Sequence, residues 1–105
     1  MKARLVLTML CTLGAQASFA AQSPAEITIR NFKFAPETLK VPVGTTVKWT
    51  NKDEDVHTVM SRTGLFVSSA MDTGDSFEYT FTKPGTYLIG CSLHPQMAET
   101  IVVEN

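Results

Sequence analysis

The chain has 105 residues, is 44% hydrophobic and 18% charged, and carries a formal net charge of -1. That length suits one small domain, and the near-neutral balance provides no basic face of the kind a nucleic acid needs. No apolar run approaches the roughly 20 residues a membrane span takes.

The first element in chain order is a leader. Residues 1–20, MKARLVLTMLCTLGAQASFA, begin with Lys2 and Arg4, run apolar from Leu5 to about Leu13, and end in small residues. A basic start, a short apolar centre and a small-residue exit read as a secretory signal peptide. Cleavage is expected after Ala20, with Ala17 as the alternative. There is no adjacent arginine pair, and Leu10 ahead of Cys11 disfavours lipid attachment. The expected destination is a bacterial periplasm, with residues 21–105 as a single domain. Loss of residues 1–20 removes two positive charges and no negative ones, which takes the net charge from -1 to -3. It also removes Cys11 and leaves Cys91 as the only thiol. A lone cysteine in an oxidising compartment is an intermolecular link, a liability or a ligand.

The rest of the chain alternates with a period of two, which predicts strands. Glu26 to Arg30 is the first. From Pro42 to Trp49 the odd positions Val43, Thr45, Val47 and Trp49 form one face. Phe77, Tyr79 and Phe81 share another. Tyr87, Ile89 and Cys91 have one parity, which aims the thiol toward the core side. Thr100 to Val103 is the last strand. Turns are expected at Pro42-Val43-Gly44, Asn51-Lys52-Asp53, Arg62-Thr63-Gly64, Asp72-Thr73-Gly74-Asp75 and Lys83-Pro84-Gly85. Phe66 to Met71 fits either a strand or an irregular crossing. Short strands at this spacing without a helical period predict an all-β sandwich.

The chemistry concentrates in CSLHPQM, Cys91 to Met97. Strand pattern on either side makes Ser92 to Glu99 a loop, and Pro95 rules out a helix there. Taken singly, Cys91 and Met97 are ordinary core residues and His94 an ordinary loop histidine. Together, a thiol, an imidazole and a thioether at intervals of three can curl around one point. His57, in DVHTV after the acidic turn Asp53-Glu54-Asp55, is the only other histidine. Two imidazoles and a thiolate, with a thioether as a weak axial donor, are the donor set of blue copper. Met60 and Met71 suit the core, so spacing favours Met97. A copper-trafficking or storage protein is the alternative, although such proteins spread several exposed methionines. A zinc-stabilised domain would seldom use a methionine.

Residues 26–105 resemble a cupredoxin, most closely the amicyanin type within the plastocyanin, pseudoazurin and amicyanin group. The matching segments are VGTTVKWTN, DVHTV and FTKPGTYLIGCSLHPQMAETIVVE. The resemblance implies an eight-stranded Greek-key β-sandwich with one type 1 copper at one end, held by His57, Cys91, His94 and Met97. It also implies a monomeric, non-enzymatic carrier of one electron. Implied partners are soluble redox proteins: a c-type cytochrome or a dehydrogenase such as methylamine dehydrogenase. In the family, the residue after the first histidine ties the ligand loops together; here that is Thr58, whose N–H should meet the Cys91 sulfur. His94, beside Leu93 and Pro95, is the implied electron port, with a potential that rises as pH falls. One departure stands out. The family usually has proline two residues after the cysteine, whereas Leu93 keeps an N–H that can reach the thiolate and favour Cu(I).

Overall fold

Thr46 to Asn51 alternates strictly between half-buried and buried, and Val47 and Trp49 on the inward side have no solvent exposure. Such a strand needs a second apolar layer opposite it. The structure, a computed structural model, describes residues 23–105; the expected signal peptide lies outside the described residues. Eight strands form: β1 Ala25–Arg30, β2 Lys33–Ala35, β3 Thr38–Pro42, β4 Thr46–Asn51, β5 Met60–Ser61, β6 Ser76–Thr80, β7 Gly85–Gly90 and β8 Ala98–Glu104. They make two four-stranded sheets, ordered β2-β1-β4-β6 and β3-β8-β7-β5. The chain changes sheet at every connection except β1–β2 and β7–β8. β1 runs parallel to β4 and β3 parallel to β8, and the remaining pairs are antiparallel. This is the expected all-β, Greek-key sandwich. Among the described residues no helix is long and apolar enough to cross a membrane.

The core lies between the sheets. Trp49, Phe34, Phe81, Ile27, Ile29, Ile89, Met97 and Ile101 are its largest fully buried side chains. Each contributes roughly 2 kcal/mol by leaving water. Glu99 is buried in the same layer, where its Oε1 accepts the Trp49 indole N–H at 2.8 Å and its Oε2 has no partner. Burial is the larger influence on this carboxyl and the indole bond opposes it; the net effect raises its pKa from 4.5 to about 8.

Two expectations need correction, three strands went unread, and one open reading is decided. Val43 is exposed, because β3 ends at Pro42 and Gly44, at φ 91°, turns the chain before β4 begins at Thr46. The odd-position face thus belongs to two structures, and only Val47 and Trp49 keep it. Three short strands, β2, β3 and β5, gave no clear alternation over so few residues. The last strand starts at Ala98, so the loop after Cys91 is two residues shorter than expected. Phe66 to Met71 is the irregular crossing, with isolated bridges Met60–Val67 and His57–Met71.

Candidate metal centre

β7 ends at Gly90, and its alternation continues for one residue: Ile89 and Cys91 are both buried, with Gly90 between them. The thiol therefore enters the site from the end of a core strand, as its parity predicted. Past it, Leu93 and Pro95 are exposed, His94 is half-buried and Met97 is buried. The Met97 N–H donates to the His94 carbonyl at 3.0 Å, which bends the loop back on itself.

His57 arrives from the other sheet's side. β4 ends at Asn51, a fully buried polar residue whose role was not visible in the sequence. Its amide donates to the Asp55 and Met71 carbonyls, both at 2.9 Å, and its Oδ1 accepts the Asp53 N–H at 2.9 Å. These bonds shape the acidic turn and bind it to Met71. Met71 and His57 then exchange two backbone hydrogen bonds. His57 is consequently fully buried, not a solvated residue beside a charge run.

Asp53 completes the arrangement. Its carboxylate accepts the Asn31 N–H at 2.6 Å, the Phe32 N–H at 2.9 Å and His57 Nε2 at 2.9 Å. Desolvation pushes its pKa up, but the N–H donors of Phe32 and Asn31 and the His57 ring outweigh it, so the carboxyl sits below its ordinary value. A carboxylate only accepts, so the neutral His57 imidazole carries its proton on Nε2 and offers the Nδ1 lone pair inward. Asn31 and Phe32 both have positive φ, 54° and 58°. This β1–β2 turn sets the Phe32 ring edge-on against His57 and His94, at centroid distances of 5.2 and 4.9 Å. Phe32 was missed in the sequence, which shows no signal for a turn three strands before the first candidate ligand.

The donor atoms converge. His57 Nδ1 lies 3.1 Å from His94 Nδ1 and 4.0 Å from Cys91 Sγ, and His94 Nδ1 lies 3.6 Å from the same sulfur. A triangle with those sides has a centre about 2.1 Å from each corner. First-row ions bind imidazole nitrogen and thiolate sulfur at roughly 2.0–2.3 Å. Two imidazole lone pairs that close repel unless a proton or cation lies between them. The donor set therefore fits a metal ion.

Thr58 meets both expectations. Its N–H donates to Cys91 Sγ at 3.3 Å, and its hydroxyl sits 2.7 Å from Ser92 Oγ while accepting the Ser92 N–H at 2.8 Å. Burial raises the Cys91 pKa. The Thr58 N–H, the Leu93 N–H, the His94 ring and the Thr58 hydroxyl together overcome that, and the thiol ends below its ordinary value. The Leu93 N–H lowers the thiol's pKa but, unlike the Thr58 N–H, does not make the second hydrogen bond to Sγ that the sequence led us to expect.

Comparison with known proteins agrees with this geometry. The family model described as a cupredoxin-like domain matches residues 3–103. Amicyanin from Paracoccus denitrificans is 32% identical over 102 residues, covering 89% of this chain and 78% of its own. A purple cupredoxin from Nitrosopumilus maritimus is 37% identical with a TM-score of 0.72, covering 76% of this chain and 99% of that one. A copper-containing nitrite reductase from Thermus scotoductus is 31% identical with a TM-score of 0.74 over 79% of this chain; that match spans only 23% of the reductase. With two sheets, a buried thiol at a strand end and two facing imidazoles, the chain belongs to the cupredoxins.

Proposed function

We propose that this protein is a periplasmic blue copper electron carrier, with His57, Cys91, His94 and Met97 as ligands to a single type 1 copper. The observation that carries the reading is the closed triangle of His57, Cys91 and His94 donors, with buried Met97 in the same loop. When bound, copper would supply one-electron chemistry by alternating between Cu(I) and Cu(II).

The protein's own residues do the rest. Thr58 and Leu93 lower the Cys91 thiol pKa, which favours the thiolate form that ligates a metal. Asp53 holds His57 in the ligating tautomer. The two sheets fix Cys91 and His57 from opposite sides, so their positions change little when charge changes, which keeps the reorganisation small. His94 is the half-buried member of the set, and its ring, flanked by exposed Leu93 and part-exposed Phe32, offers the route by which an electron leaves. That apolar rim suits brief docking with a soluble redox protein, a c-type cytochrome or a dehydrogenase such as methylamine dehydrogenase. A net charge of -3 after leader removal adds only weak steering. Four protein donors would leave no open position for a substrate, so the reading is of a carrier, not an enzyme.

Adding Cu(II) to purified metal-free protein tests it. An intense absorption at roughly 600 nm that reductant bleaches and oxidant restores is expected from a thiolate–copper bond. A colourless complex, or one indifferent to reductant, would overturn the assignment in favour of a trafficking or zinc site.

A further inference from the structure

The Arg62-Thr63-Gly64 turn has no part in the donor set, yet one of its side chains reaches it. Arg62 is anchored by its backbone: its N–H donates to the Leu88 carbonyl at 2.9 Å, and Gly64, at φ 82°, closes the turn with an N–H bond to Ser61 at 3.0 Å. From there the side chain crosses the outer face of β7 at Gly90. A Cβ added to Gly90 would lie 2.9 Å from Arg62 Nη2, 3.0 Å from Cζ and 3.3 Å from Nε. Gly90 is not among the positive-φ glycines, so its lack of a side chain serves this close approach and not a backbone conformation. At the far end, Arg62 Nη2 donates to the Met97 carbonyl at 3.0 Å. The guanidinium thus spans the base of the ligand loop, touching the residue before Cys91 and the last residue before β8.

We propose that Arg62 is a positioning residue for Met97, a brace that fixes how far the thioether stands from the metal. The assignment rests on Met97 being the axial ligand. Met97 is held at both ends of its own backbone, by its N–H on the His94 carbonyl and by Arg62 on its carbonyl. With both bonds made, its Cα has little freedom and its side chain starts from a fixed point. A charge-assisted bond of this kind is worth about a tenfold change in an equilibrium constant. Because the axial donor tunes the copper site, slack at Met97 is read out directly in colour.

Two substitutions remove the brace by different routes. Arg62→Ala deletes the guanidinium. Gly90→Ala evicts it while keeping its charge on the molecule, and the displaced atoms are the free end of a flexible side chain, so the fold persists. In the metal-free protein, hydrogen exchange at the Met97 N–H is expected to accelerate about tenfold in each variant, and no further in the double variant. In the copper-loaded protein, both variants are expected to change the shape of the thiolate absorption in the same way. Exchange and spectra within about twofold of the parent would overturn the brace, as would an effect in Arg62→Ala alone, which reports charge and not position. Parent protein that turns blue beside unchanged variants defeats only this assignment. Parent protein that never turns blue defeats the copper reading and the role of Met97 with it.

Discussion

His57 and His94 present the same nitrogen to the same point, 3.1 Å apart, from opposite kinds of surroundings. The His57 wall is built from β4 and the acidic turn. Its polar groups are paired throughout: Asn51 with Asp55, Met71 and Asp53, and Asp53 with two backbone N–H groups and the ring itself. The His94 wall is a seven-residue excursion between β7 and β8, with Leu93, Pro95 and Gln96 in solvent and the half-satisfied Glu99 following it in β8. One imidazole is an anchor fixed before any metal arrives. The other is a surface contact whose position depends on a short loop. An electron carrier needs both, since a rigid donor limits reorganisation and an accessible one shortens the path to a partner.

The largest expected effect sharpens the loop side of this contrast. The Glu99 carboxyl is neutral up to about pH 8 in the folded protein and titrates near its ordinary 4.5 once unfolded. The folded form therefore binds the extra proton, and the contribution is complete below pH 4.5 and lost as pH rises through about 8. Across that window the metal-free protein is expected to lose stability on the order of 4 kcal/mol. Glu99→Gln keeps an acceptor for Trp49 and cannot ionise, so it should flatten the slope. Urea unfolding at pH 5 and pH 8.5 checks this; a parent and variant with equal slopes would count against a neutral buried Glu99.

Asp53→Asn breaks the anchor side. An amide cannot receive the Asn31, Phe32 and His57 donors as two carboxylate oxygens do, so the ring loses its orientation. Copper affinity is expected to fall by about tenfold, measured by competition with a chelator. An affinity equal to the parent's would show that the β scaffold alone orients the ring. Smallest is Leu93→Pro, which removes one N–H acting on the Cys91 sulfur and leaves Thr58 in place. The thiolate should donate more strongly and the reduction potential should drop. A potential that holds or rises in voltammetry would refute the Leu93 contribution.

How much of this was legible in the sequence depends on the range of each interaction. The ligand loop was readable because its donors sit three residues apart, and Pro95 and strand parity constrain where they point. The core parity of Cys91 and the contacts of Thr58 followed from local pattern and family likeness. His57 was readable only by elimination, as the sole other histidine, and its burial was not. Phe32, Asn51 and Arg62 were invisible in their roles. Each acts across 20 or more residues of chain, through a turn, an amide or a guanidinium that looks ordinary beside its neighbours in sequence.

The residue types alone determined that soft and borderline donors were available in one chain, and the period-two alternation determined that strands would carry them. Tertiary structure decided the distances. Only the packing of one sheet on the other brings the turn after β4 against the end of β7, and there a half-buried carboxylate, a glycine gap and an arginine arm surround the candidate donors. Donor chemistry is a property of residues, whereas coordination is a property of positions, and positions separated by 34 residues are set by long-range packing.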